Sequence, residues 1–352
     1  MNSKALNNQD YLLVIVTHYN NSSTLVRCLD SIFKYFSNCQ KIKFLLIDDN
    51  SDKFHFSRLL EISKSYNIEL IRSNTNVGIA SARNMGINFG ITHHYNYLTF
   101  IDSDDHLINS IRPENYLNND ITLFNSLETI DNYEYTCNYK SFVVKNNFFQ
   151  TDNLEKLLKE YIIKPNKVPT LTTCWAKIYK IEIIKKNNIF FNQKMKTFED
   201  VDFLFRYLMF AINIKFNAIS VYAHTNNGNL TSLTFSKDAH KNNLFSFLQA
   251  SRSLRNLIFR NYQSLNFNIK HFCACYYSIS LIRISINNDL KSKYHLFLFI
   301  NRRLRSRFFI NCFKNYDVET AGGSPKIKEY ILSKSPLRLL FFLIKTAKVR
   351  YG

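Results

Sequence analysis

YLTFIDSDD, residues 97–105, sets a short apolar run directly against three carboxylates in four positions. The run is brief, aromatic-rich and bounded by polar residues, the pattern of an interior strand. Asp suits a turn because its side chain bonds nearby backbone, yet three like charges repel unless a cation lies among them. Asp102 and Asp104, placed where a strand ends, offer two hard oxygen donors near one point. That is what Mg²⁺ or Mn²⁺ requires when phosphate oxygens and water complete its shell. An Asp-rich loop by itself is more often a turn or a helix cap, so the neighbouring segments decide the matter.

Three similar runs precede it: YLLVIVT (11–17), IKFLLID (42–48) and IELIR (68–72). Between the first two, Leu25, Cys28, Leu29, Ile32, Phe33 and Phe36 recur at helical spacing, with Ser22 or Ser23 available as N-cap. Leu59, Leu60 and Ile62 mark a shorter helix, and Ala80 to Phe89 another. Strand and helix in alternation predict a parallel α/β sheet covered on both faces. Such sheets bind ligands beyond the carboxyl ends of their strands. The four strands run out into THYN (17–20), DDNS (48–51), SNTNVG (73–78) and DSDD (102–105), polar clusters converging on one edge. Of only seven glycines, Gly78, Gly86 and Gly90 fall within thirteen residues, which predicts backbone demands near a ligand.

VIVTHYN, LLIDDNS, NVGIASARNMGI and FIDSDD, in this order and at these intervals, resemble the donor half of the family 2 glycosyltransferases of GT-A fold, which use nucleotide-diphosphate sugars. The resemblance is close over 11–108, weaker to about 235, and then stops. It implies a GT-A domain over 1–237, with a donor half at 11–108, an acceptor half at 109–237 and a mixed, mainly parallel sheet. On the donor side it implies that Thr17 and Tyr19, with Asn20, line a base pocket and that Asp48, beside Asp49, accepts from the imide of uracil or another base. Asn76, Gly78 and Arg83 would close over ribose and phosphate, and Asp102, Ser103 and Asp104 form the DxD element, with Asp102 and Asp104 holding the metal and Asp105 assisting. Asn50 stands where glycine is commoner, and Asn also tolerates a left-handed turn.

The second half carries the acceptor-side expectations. DITLFN (120–125) and KSFVVK (140–145) can extend the sheet, while LEKLLKEYIIK (154–164) and FEDVDFLFRYLMF (198–210) are amphipathic helices. By resemblance Asp200 is the base that takes the acceptor hydroxyl proton, with Glu199 positioning it; a capping box from Thr197 to Asp200 is the competing reading. CWAKIY (174–179) matches a W-x-K element that places Trp175 and Lys177 beside the sugar, against the commoner fate of a sole tryptophan as core. VYAHTNNGNLTSLT (221–234) resembles a mobile tail element near the diphosphate, where His224 approaches metal or phosphate or serves structurally.

Charge divides the chain. Of the net +19, residues 241–352 contribute +16, from twenty Lys or Arg against four Asp or Glu. Their basic residues alternate with Phe, Leu and Ile, as in FINRRLRSRFFI (299–310) and LRLLFFLIKTAKVR (337–350). That predicts a basic, mainly helical region over 238–352 lying on an anionic membrane surface rather than on nucleic acid. Seven cysteines without a zinc-type CxxC pair predict reduced thiols in a reducing compartment. The polar start MNSKALNNQD has no signal-peptide core, and LRLLFFLI is too short to span a bilayer. The resulting expectation is a metal-dependent, inverting transferase, peripheral at the cytoplasmic face of a membrane. It would use a UDP-sugar and a saccharide or lipid-linked saccharide acceptor in bacterial capsule, lipopolysaccharide or other surface-polysaccharide assembly. The rivals are a non-catalytic protein of the same fold and a nucleic-acid-binding module in the basic third.

Overall fold

The computed structural model describes all residues except 1–11, 37–40, 113–114, 134–138, 148–152, 166–167, 226–238, 266, 286–289, 322 and 352. The chain divides into two compact units, one made of residues 1–152, 170–230 and 241–261, the other of 153–169, 231–240 and 262–352. The boundary drawn from composition at 237/238 does not coincide with this division. Residues 241–261 group with the sheet, and 153–169 with the C-terminal helices.

In the first unit, β1 (Leu12–His18), β2 (Ile42–Asp48), β3 (Glu69–Arg72) and β4 (Tyr97–Asp102) alternate with α1 (Ser22–Phe36), α2 (Lys53–Ser65) and α3 (Ile79–Thr92). Every residue of β1 is buried, as expected of a parallel strand covered on both faces. β1 pairs in parallel with β2 and β4, and β2 with β3, so His18, Asp48 and Arg72 stand in register at one edge, with Thr17 opposite Asp102. The helices are held by the predicted apolar stripe: Leu25, Cys28, Leu29, Ile32 and Phe36 of α1 are all buried. Each such side chain contributes roughly 1.5–3 kcal/mol by leaving water.

The sheet continues through β5 (His106–Leu107), β6 (Ile121–Tyr133), β7 (Tyr139–Asn147), β8 (Lys177–Lys180) and β9 (Ile214–Thr225), in the order β3-β2-β1-β4-β8-β6-β9-β5 with β7 on β6. β8 lies antiparallel to both β4 and β6. The sheet is therefore mixed, all parallel where β1 to β4 lie and antiparallel on either side of β8. Between these strands run α4 (Leu154–Ile163), α5 (Ile181–Asn187) and α6 (Glu199–Leu208).

Gly86 and Gly90 correct the expectation of a ligand nearby. A Cβ at Gly86 would sit 2.6 Å from Ile15 Cγ2, and one at Gly90 would meet Ile181 and Leu13 at 3.0 and 3.2 Å. Both glycines let α3 lie close on β1. Gly78 alone of the three has a positive φ, +84°.

After α7 (Ala239–Asn261), the second unit contains α8 (Ile269–Ile284), α9 (Leu290–Leu304), α10 (Arg307–Lys314), α11 (Val318–Ala321), α12 (Pro325–Leu332) and α13 (Pro336–Tyr351), packed with α4. Ser306 caps α10 by accepting from the Phe309 N–H. Cys273, Cys275 and Cys312 are free and buried here, as are Cys28 and Cys174 in the first unit. Among the described residues no helix is long and apolar enough to cross a membrane.

Candidate active site

The parallel register brings the polar clusters after β1, β2 and β4 to one edge, and the first turn of α6 joins them. Arg83, one turn into α3, is the meeting point. Its guanidinium is 3 % exposed, with Nη2 2.9 Å from Asp102 Oδ1 and Nη1 2.5 Å from Asp200 Oδ1 and 3.4 Å from Glu199 Oε1. Burial alone would lower its pKa, but the carboxylates, Asp200 foremost, push it up and keep it charged. Asp200 Oδ2 also accepts from the Cys174 N–H at 3.2 Å. The N-cap residue of α6 is Phe198, at φ 61°, and Asp200 turns its carboxylate to Arg83 and Cys174. Arg83, expected over a donor phosphate, is instead enclosed by three carboxylates.

Glu199 shares that enclosure. Burial, then the charge of Asp200, pushes its carboxyl up to about 7. Both acids sit at the helix N-terminus, where the aligned peptide dipoles favour negative charge.

The DSDD loop separates its three acids by role. Asp105 is 1 % exposed and accepts from the Tyr222 hydroxyl at 2.6 Å, the Thr225 N–H at 2.7 Å and His224 Nδ1 at 3.2 Å. It anchors β9 rather than a ligand. Asp102 accepts from Arg83 and, at 3.4 Å, from the Thr17 hydroxyl. The Asp104 carboxyl is pushed up to about 7 by burial and then by Asp105 and Asp102. A group so loaded with negative neighbours is what a divalent cation relieves, and Asp102 with Asp104 supplies hard oxygens for one. Among the described residues no three His, Cys, Asp or Glu side chains are arranged to hold a metal by themselves. If a metal binds here, Asp102 and Asp104 would be the residues to hold it, and its remaining ligands would have to come from a diphosphate and water.

On the donor side, Asp48 and Asp49 build the loops. Asp48 is fully buried, accepting from the Ser51 N–H at 3.2 Å and the Ser51 hydroxyl at 2.5 Å, with His18 Nδ1 3.6 Å away. Burial works to raise its pKa, but the bonds from His18 and Ser51 outweigh it and hold the carboxyl below its usual range. A base imide has no open face of Asp48 to meet. Asp49 accepts from the Val77 and Gly78 N–H groups at 2.7 and 2.9 Å, fixing the turn into α3. Tyr19 is half exposed at this edge, Asn20 at φ 48° accepts from the Asp52 N–H, and Asn76 is exposed. Ser103 is buried, its N–H on the Thr17 carbonyl and its own carbonyl taken by the Thr24 hydroxyl.

Trp175 lies flat on Tyr222, ring centres 4.4 Å apart at 5°, and 5.4 Å from His224. At 6 % exposure it is the floor beneath the DSDD anchor. Lys177 is buried, and its ammonium bonds the Trp175 carbonyl at 3.1 Å and the Thr173 hydroxyl at 3.3 Å. Burial lowers its pKa to about 8. It braces its own turn, where Ala176 takes φ 54°. His224 is nearly half exposed; burial opposes its charge, but Asp105 pushes it up to about 9. The rest of the tail element, 226–234, lies outside the described residues.

Tyr222 was not anticipated, although its hydroxyl bonds both Asp105 and the Asp102 N–H. The signal was present: Tyr222 and His224 are two apart on a strand and so share a face.

Residues 13–109 match the model of glycosyl transferase family 2. The chain is 26% identical over 189 residues to glycosyltransferase GlyA of Streptococcus pneumoniae, covering 50% of this chain and 25% of that one. It is 26% identical over 207 residues to a teichoic acid poly(glycerol phosphate) polymerase of Staphylococcus epidermidis, covering 56% and 26%. The chain thus spans about a quarter of the length of these curated relatives. Among solved structures, S. aureus TarS 1–349 in complex with UDP-GlcNAc superposes with a TM-score of 0.57 at 17% identity, over 96% of this chain and 92% of that one. The UDP complex gives 0.55 at 16%, over 96% and 91%. These structural likenesses establish the GT-A type of fold.

Proposed function

We propose that this chain, whose residues 13–109 carry the glycosyl transferase family 2 domain, moves a sugar with inversion from a nucleotide-diphosphate sugar to a saccharide or lipid-linked saccharide acceptor. The observation that carries the proposal is the meeting of two acid sets on Arg83, Asp102 from the end of β4 and Glu199 with Asp200 from the start of α6. A sugar transferase needs one set for the leaving group and another for the attacking hydroxyl, within one sugar's reach. UDP and UDP-GlcNAc, bound by the TarS structures, support a UDP-sugar as donor.

In this reading Asp200 accepts the proton of the acceptor hydroxyl as that oxygen bonds to the anomeric carbon and the bond to the diphosphate oxygen breaks. The Arg83 guanidinium and the Cys174 N–H hold the Asp200 carboxylate in place and aimed. Glu199 packs beside it as a positioning group. Asp102 and Asp104 would hold Mg²⁺ or Mn²⁺, which when bound offsets charge on the departing diphosphate. Tyr19 and Asn20 border the space for the base, and the Asp49-fixed turn at Val77 and Gly78 shapes the pocket's other side. The teichoic acid polymerase relative supports an acceptor from cell-surface polymer assembly.

The test is release of nucleotide from a panel of nucleotide-diphosphate sugars, with Mn²⁺, Mg²⁺ or EDTA, by wild type and Asp104→Ala. Metal-dependent release of one nucleotide, lost in the variant, is the expected result. If no nucleotide is released and calorimetry shows no nucleotide binding, the proposal fails.

A further inference from the structure

The last helix of the second unit presents two different apolar faces. Leu339 and Leu343 of α13 are 1 % and 0 % exposed, and the Leu343 carbonyl accepts from the Ser285 hydroxyl at 3.0 Å, so this face is docked at the end of α8. On the opposite side Leu337 is 56 % and Phe341 69 % exposed, one turn apart. Arg338 and Lys345 fall on the same side at helical spacing and are also exposed, as is Lys334 in the turn before the helix. Residues 334–350 contain no acid. Single exposed apolar residues are ordinary, but two bulky ones stacked one turn apart and flanked by Arg338 and Lys345 are not.

A similar arrangement recurs on α9, where Tyr294 and Leu298 are 60 % and 45 % exposed at i, i+4 and exposed Arg302 continues the line, with exposed Arg305 just past the helix end. Residues 262–352 hold sixteen Lys or Arg against four Asp or Glu, a net +12. The partner that matches both features is a layer of anionic lipid headgroups over acyl chains. The cations meet phosphate while Leu337 and Phe341 enter the apolar boundary. A polyanion partner would use the charge but has no general need of the paired apolar side chains.

We infer that the Leu337–Arg338–Phe341–Lys345 face of α13 is a docking surface for anionic membrane. The inference rests on the transferase reading only for its purpose, which is to hold the enzyme where lipid-linked acceptors lie.

Flotation of the full chain, without donor, tests it independently of nucleotide release. Wild type should float with vesicles containing phosphatidylglycerol and not with pure phosphatidylcholine, and the binding should weaken as salt rises. Arg338→Ser and Lys345→Ser should each weaken binding about five-fold, at about 1 kcal/mol per basic residue. Leu337→Ser with Phe341→Ser should weaken it at least about ten-fold. Phe54→Ser, which removes an exposed side chain from α2, should change nothing. Thermal melts of the variants should match wild type, since none of these side chains is buried. Binding unaffected by Leu337→Ser with Phe341→Ser overturns the inference. So does binding to single-stranded RNA but not to vesicles, or a stable oligomer in sedimentation that these variants disperse.

Discussion

Arg83 Nη1 lies 2.5 Å from Asp200 Oδ1 across 117 residues of sequence, and the other arm of the same guanidinium lies 2.9 Å from Asp102. The donor loop and the helix carrying the proposed base are thus registered to each other through one side chain. A guanidinium can do this because its donors point in fixed directions, whereas an ammonium is a single rotatable point charge.

Arg83→Lys should therefore keep the charge and lose the registration. Its turnover should fall on the order of 100-fold, with a smaller loss of stability. Arg83→Met should be destabilised by about 3–5 kcal/mol, because three carboxylates are left without their buried partner. Thermal denaturation and steady-state kinetics read both, and a wild-type rate in Arg83→Lys would remove the registering role.

Asp200→Asn separates chemistry from binding. The amide still fills the space beside Cys174 but cannot take a proton, so kcat should fall roughly 10²–10⁴-fold. Calorimetry with the nucleotide should give an unchanged Kd. A parallel loss of nucleotide affinity would instead make Asp200 part of the donor pocket.

Much of this was legible because parallel strands announce themselves: β1 and β4 are continuous apolar runs, and the loops after them carry the acids. Which acids are tied up as loop anchors was not legible. Asp48, Asp49 and Asp105 look alike in sequence to Asp102 and Asp104, and only tertiary hydrogen bonds from Ser51, Gly78 and Tyr222 turn the former into loop anchors. β8 escaped notice because its four residues start on Lys177, a residue type rarely buried, held here by the Trp175 carbonyl. The clustering of Gly78, Gly86 and Gly90 points to backbone demands near a ligand because a close helix-to-strand approach and a ligand approach leave the same mark in sequence.

Stability should depend on pH through Glu199. Its folded pKa of about 7 lies above the usual value for a glutamate, so its contribution is fully present below about pH 4 and is lost as pH rises through 7. Glu199→Gln removes that dependence. Relative to wild type, the variant should gain stability between pH 6 and 8, by on the order of 1–3 kcal/mol at most. Melts across this range compare the two, and parallel curves would show that Glu199 does not titrate there.

The two glycines of the α3 region should fail differently. Gly86→Ala places a methyl 2.6 Å from Ile15 Cγ2 in the middle of the core, which should lower stability by about 1–3 kcal/mol while leaving nucleotide affinity unchanged at temperatures where the protein is folded. Gly78→Ala meets no atom within 4 Å but must hold φ at +84°, in the turn that Asp49 fixes through two N–H groups. The strain, on the order of 1–2 kcal/mol, is released most readily by letting that turn go, so nucleotide affinity should drop with little change in Tm. Calorimetry and thermal melts on the same two proteins distinguish these outcomes. If Gly78→Ala lowered Tm as far as Gly86→Ala and bound nucleotide normally, the 73–78 loop would be scaffold rather than part of the donor pocket.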